Sequence, residues 1–166
     1  MAHHIAQINV SRPVEPLDSA RLADFVAALD PVNALADTAP GFVWRLRTED
    51  GNATAIRVLD DDELIVNMSV WESIDDLGAF VFRSGHTGVM RRRREWFVPM
   101  RESTTALWWV PAGTLPTVAD GELRLRHLRA HGPTPTAFTL RTHFPPPGDS
   151  QEPTPLAGRD EWLCPA

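Results

Sequence analysis

The sequence predicts an α+β fold: a ferredoxin-like antiparallel sheet with helices on one face. Three observations carry that expectation. Stretches with the two-residue period of half-buried strands recur along the chain, at Ile5–Val10, Phe42–Arg47, Leu64–Trp71, Thr104–Val110 and Ala137–Phe144. Stretches with helical spacing separate them. The resulting order, β-α-β-β-β-α-α-β-α-β, contains a βαββαβ unit with additions. A length of 166 residues suits a single domain, placed at residues 1–147. Pro145-Pro146-Pro147-Gly148 then opens a Pro-rich C-terminal tail over 148–166, poor in apolar residues.

In the first strand, Ile5–Val10, Ala6, Ile8 and Val10 point one way, and Ile5, Gln7 and Asn9 the other. Asp18 can cap a helix whose apolar stripe is Leu22, Phe25, Val26 and Leu29, and Pro31 opens a second short turn. After Ala39-Pro40-Gly41, a strand carries Phe42, Trp44 and Leu46 on one face and Val43, Arg45 and Arg47 on the other. The turn signal Glu49–Asn52 predicts a hairpin returning over Ala53–Leu59. Leu64–Trp71 is the clearest strand, with Leu64, Val66, Met68 and Val70 opposite Ile65, Asn67, Ser69 and Trp71. Ser73, with Asp76 three residues on, forms a capping box for a helix buried through Ile74, Leu77, Phe80 and Val81. A further helical segment covers His86–Phe97. Thr117 or Asp120 starts a helix that Gly132-Pro133 stops.

Apolar residues at 43% and charged residues at 23% are ordinary for a globular chain. A net charge of -6 argues against general binding to nucleic acid or anionic membranes. No apolar run approaches a membrane span, and the first ten residues lack the pattern of a signal peptide. The lone Cys164 cannot form an internal disulfide, which fits the cytoplasm.

Helices on one sheet face leave the other to face solvent, a partner or a cavity. The wholly apolar strand set suits the helix side. The opposite set contains Gln7, Asn9, Asn67, Ser69 and Trp71: amides, a hydroxyl and an indole, the mixture that orients a ligand against apolar walls. A dimer interface whose amides pair across a two-fold axis is the alternative.

At 100° per residue, Met90, Arg93 and Phe97 fall within about 40° of His86 on one helical stripe. Arg91 lies opposite, so Arg91–Arg94 is not one basic patch. Arg93 either buries its stem and pairs with an acid, or holds a ligand carboxylate or enolate in its planar fork. His86 follows Gly85 at a helix start, where the dipole favours a neutral imidazole able to act as a general base or hydrogen-bond donor. A capping or packing histidine is the plainer alternative. The chain has no GxGxxG, GxxxxGK[ST], GxSxG or HExxH motif. His127 and His131 are spaced for two metal ligands but have no evident third, so no metal is expected.

AQINV, APGFVWRL, NMSVWES, SGH with RRRREWF, LWWVPAGTLPTVADG and GPTPTAFTLRTHFP, spread over about residues 3–147, resemble a bacterial family of unknown function, DUF3291. That family resembles the dimeric α/β-barrel superfamily, which includes antibiotic biosynthesis monooxygenases. The resemblance implies two ferredoxin-like subunits packing sheet faces into a barrel. It also implies a Trp and a His beside the cavity, here Trp71 and His86. The extra helices and the tail depart from better-known barrel members.

The expectation is a cofactor-independent small-molecule enzyme, monooxygenase-like or a proton-transfer isomerase, lyase or cyclase, acting on an enolisable or aromatic metabolite in a homodimer. His86, Arg93 and Asn67 are the catalytic candidates. Trp71, Ser69, Arg45, Gln7, Asn9, Met90 and Phe97 are the substrate-binding candidates. The alternative is a non-catalytic dimer binding an apolar ligand or haem.

Overall fold

The computed structural model describes residues 1–49, 51–83, 88, 91–149 and 152–155. Strand β1 (His3–Pro13) leads through a 3-10 turn at Ala20–Leu22 into α1 (Ala23–Asp37), then β2 (Phe42–Arg45) and β3 (Ile65–Trp71). Next come α2 (Ile74–Arg83), the helical turn α3 (Arg93–Trp96), β4 (Phe97–Val98), β5 (Thr105–Pro111) and α4 (Val118–His131). A small pair closes the described chain, β6 (Thr142–His143) and β7 (Thr154–Pro155).

The main sheet is antiparallel throughout, in the order β2-β3-β1, with β5 and β4 sharing the far edge of β1. The order β2-β3-β1-β5 is that of a βαββαβ unit, with α1 and α2 as its two crossovers. The expected α+β architecture is therefore present. β1 is long enough to pair with β5 over His3–Asn9 and with β4 at Arg12–Pro13.

Helices cover both faces of the sheet, which corrects the expectation of one covered face. On the apolar face, Ala6, Ile8, Val10, Val66, Met68, Val70, Ala106 and Trp108 pack with Leu125 and Leu128 of α4. Gly121 permits that approach, since a Cβ there would lie 2.7 Å from Ile8 Cδ1 and 3.2 Å from the Met68 sulfur. Thr117 caps α4 in a full capping box with Asp120. On the other face, Phe25 and Leu29 of α1 join Trp96, Phe97 and Ile65 in one cluster. Leu77 and Val81 of α2 join Ile5, Trp71, Leu107, Phe138, Leu140 and Phe144 in another. The helix added after β5 takes the face that the crossovers leave bare. Among the described residues, neither face is open for a second copy to complete a barrel.

Several local expectations change for identifiable reasons. Residues 53–59 form no strand. Ala53 and Val58 are buried against the apolar face, but Leu59 and Asp60 adopt left-handed φ of 55° and 56°, which breaks an extended run. α1 runs through Pro31, because Phe25 and Leu29 before it and Asn33 and Ala36 after it are all buried. A bulge between Phe42 and Trp44 sets Phe42 opposite Trp71 and sends Trp44 to the apolar cluster, so these two residues do not share a face. Phe97 is in a strand rather than a helix, paired with Pro13. Ala137–Phe144 is not a continuous strand. Phe138 exchanges two backbone bonds with Leu107, and the segment is otherwise fixed by burial of Phe138, Leu140 and Phe144.

The N-cap predicted at Ser73 forms: Ser73 Oγ accepts the Asp76 backbone N–H and donates to the Asp76 carboxylate. Gly41 passes directly over that carboxylate with φ of +73°, where any Cβ would collide with Asp76, and its carbonyl accepts the Glu72 N–H at 2.8 Å. This contact locks the α1–β2 connection to the start of α2.

Candidate functional site

The strand register aligns the second face in rows. Phe42, Trp71, Ile5 and Trp109 form one row across β2, β3, β1 and β5. Arg45, Ser69, Gln7 and Leu107 form the next, and Asn67, Asn9 and Thr105 the third. Polar side chains therefore occupy the middle of a face whose ends are apolar, with the α2 cluster beyond one end and the α1 cluster beyond the other. Gln7, Asn9, Ser11 and Ser69 are buried, and Asn67 is half-buried. Burying such groups is unfavourable unless their hydrogen bonds are made, so where each bond goes is informative.

Two sub-networks result. Asn9 is satisfied within the fold: its Nδ2 donates to Thr105 Oγ1 at 2.7 Å, and its Oδ1 accepts from Ser11 at 3.4 Å. The Gln7 group is not. Gln7 Nε2 donates to Asn67 Oδ1 at 2.5 Å and to Ser69 Oγ at 3.0 Å, and Trp71 Nε1 donates to the same Ser69 oxygen at 2.9 Å. Ser69 thus accepts twice, and Gln7 Oε1 is buried without a partner. Trp71 is held by Phe80, stacked at 5.1 Å, and by Phe42, edge-on at 5.4 Å.

Arg45 sits beside Ser69 in the register, but its guanidinium is engaged elsewhere. It forms a two-pronged pair with Asp37 at the end of α1, at 2.7 and 3.1 Å, and donates to the Gly51 carbonyl. Only 12% of the side chain is exposed. Phe97 packs edge-on against Phe25 at 4.9 Å in the α1 cluster, away from the Gln7 group. Arg93 is half-buried in α3 and has a bonded partner. Hydrogen bonds to Glu95 and Asp24 raise the pKa of the Arg92 guanidinium, which also lies 4.8 Å over the Trp96 ring. His86 and Met90 lie outside the described residues. The structure therefore brings together Gln7, Asn67, Ser69 and Trp71, with Asn9 adjacent, and places Arg45 and Phe97 in neighbouring contacts.

Sequence reasoning missed Ser11, Thr105, Phe42 and Phe80. Ser11 was available from the same alternation as Gln7 and Asn9. Thr105 required the β1–β5 register, Phe42 the bulge, and Phe80 the packing of α2 on Trp71. The His127 and His131 rings lie 4.6 Å apart and tilted to one another, with His127 Nε2 bonded to Thr134 Oγ1 at 2.8 Å. Among the described residues no group of three potential metal ligands occurs, and no helix is long and apolar enough to cross a membrane.

Comparisons with known proteins give one family. The model of DUF3291, described as a domain of unknown function, matches residues 4–154. No curated protein matches the chain. Among solved structures, SnoaB, a cofactor-independent oxygenase from Streptomyces nogalater, is similar at 21% identity and a TM-score of 0.46, over 70% of this chain and 100% of that one. An asparagine-to-alanine mutant of SnoaB aligns at 20% identity and a TM-score of 0.42, over 69% and 98%.

Proposed function

The chain belongs to the DUF3291 family, and we propose that it is a small-molecule enzyme whose site is the Gln7–Asn67–Ser69–Trp71 group under the crossover helices. The observation that carries this reading is a buried, uncharged hydrogen-bonding row with bonding capacity left over, set between two apolar clusters. That is the composition of a ligand site: apolar walls with a few polar groups that fix orientation.

The chemistry that suits these groups is proton transfer on an enolisable or aromatic metabolite without a cofactor. Ser69, accepting twice, has its hydroxyl proton to donate, and Asn67 has an amide N–H pair that its bond to Gln7 does not use. Both can stabilise oxyanion character that develops as a carbon acid loses its proton. Trp71, fixed on three sides, would form a wall of the site. His86, carried from the sequence, takes the role of base, which such a step requires and the amides cannot fill. Arg93 is carried from the sequence as the charged aid to that step. Oxygenation by a substrate carbanion, isomerisation, elimination and cyclisation all begin this way. A homodimer, which the resemblance implies, would have to use surfaces other than a bare sheet face.

The test is His86→Ala, followed by mass-spectrometric analysis of enolisable and aromatic substrates under air. Turnover in the wild type and its loss in a variant with an unchanged circular dichroism spectrum is the expected result. Equal turnover in the variant rejects His86 as the base. Ligands bound by the wild type but recovered unchanged would make the protein a binding module instead.

A further inference from the structure

We infer that Gln7 and Ser69 together recognise a single uncharged hydroxyl group on an apolar ligand. This rests on the reading of the Gln7–Ser69 group as a ligand site, and it names what that site selects. Three observations lead to it.

First, the unpartnered Gln7 Oε1 belongs to a residue only 4% exposed, so bulk water does not satisfy it. A buried acceptor in that state requires a donor. Second, Ser69 Oγ accepts from both Gln7 Nε2 and Trp71 Nε1, so its own proton is directed at neither of them. The group therefore offers one acceptor and one donor side by side. Third, the groups that form the network are uncharged, and the neighbouring guanidinium of Arg45 is neutralised by Asp37 and tied to Gly51. An ionised carboxylate carries no proton to give the Gln7 oxygen and would be repelled by it.

A hydroxyl is the simplest group that matches. It donates to Gln7 Oε1 and accepts from Ser69. It also matches the reversed network, in which the Gln7 and Asn67 amides both turn over. The Gln7 oxygen then accepts from Asn67 and Ser69, and its nitrogen becomes the unpartnered atom. A ketone fits only the reversed arrangement and an ammonium only the first, whereas a hydroxyl fits both. The flanking residues Trp71, Phe42, Ile5 and Ile65 supply the apolar surroundings for the rest of the ligand.

The Trp71 indole N–H, bonded to Ser69, is a built-in reporter, and its NMR resonance is assigned by its loss in Trp71→Phe. The wild-type protein is titrated with 1-naphthol, 1-methoxynaphthalene and 1-naphthoate. Naphthol is expected to move the Trp71 resonance saturably. The methyl ether, which cannot donate, should bind roughly fivefold to tenfold more weakly, the worth of one neutral hydrogen bond, and the carboxylate more weakly still. Gln7→Leu should remove the preference for naphthol over its ether. Equal affinities for naphthol and ether in the wild type overturn the proposal, as does tightest binding by naphthoate. A Trp71 resonance that no probe moves means a buried water alone satisfies Gln7, and also overturns it. Should Gln7→Leu fail to fold, the wild-type preference still decides. No preference in the wild type, with His86-dependent turnover intact, would reject hydroxyl recognition and leave the proposed enzyme standing. A preserved preference with His86-independent turnover does the reverse.

Discussion

The two faces of one sheet are built from the same strands and have different fates. On the apolar face the clustered side chains are hydrocarbons, an indole and the Met68 thioether. α4 lies against it so closely that a Cβ at position 121 would crowd Ile8 and Met68. On the other face Gln7, Asn9, Ser69 and half-buried Asn67 interrupt the hydrocarbon, and the network they make leaves an acceptor unused. The first face is organised for stability. The second retains polar groups that a purely structural layer would replace by leucine or valine, and that difference locates the candidate site.

Substitutions separate the faces by their effect on stability, and the largest change is expected on the apolar one. Trp108→Ala removes a side chain 2% exposed and should lower the unfolding free energy by about 4 kcal/mol, measured by urea denaturation. Gly121→Val drives a branched side chain into Ile8 and Met68 and should cost about 2 kcal/mol. An undiminished urea midpoint would mean that α4 is not seated as described. Thr117→Ala removes the cap of α4 and should cost about 1 kcal/mol. Gln7→Leu, on the other face, should change stability by less than about 1 kcal/mol in either direction, because it removes an unpaired acceptor along with two bonds. Its effect should fall on ligand binding. A loss of stability like that of Trp108→Ala would show the amide row to be structural and erase the contrast between the faces.

The smallest effect is electrostatic and belongs to neither face. Arg12, in β1, pairs with Asp61 at 2.6 Å and with Glu63. The hydrogen bond from Arg12, followed by one from the Glu63 backbone N–H, holds the Asp61 carboxyl below the usual carboxylate range. A depressed folded-state value means that the pair's contribution is present above the unfolded value, about 4. It is lost as pH falls through the lower folded value. The stability gap between wild type and Asp61→Asn should therefore narrow as pH drops below about 4. A gap independent of pH would show that the pair contributes nothing in solution.

Much of the fold was legible because alternation and capping are local. The strands around Ile5–Val10 and Leu64–Trp71, the Ser73 cap and the Thr117 cap are all set by residues within a few positions of one another. The polar set Gln7, Asn9, Asn67, Ser69 and Trp71 was legible for the same reason, since parity along a strand assigns its face. The path of residues 53–59 was not, because their backbone follows burial of Ala53 and Val58 on a distant sheet and a bond from the Leu59 N–H to Glu122 at 2.7 Å.

The sequence alone determined which side chains share a face, and hence that amides, a hydroxyl and an indole would stand together. Only the tertiary structure decided that helices cover that face as well as the other. It also decided that Asn9 is satisfied while Gln7 is not, and that Arg45 is bound to Asp37. The reason is range. Alternation is fixed by neighbouring residues, whereas a hydrogen bond between residues sixty apart depends on register, bulges and helix placement that no local pattern encodes.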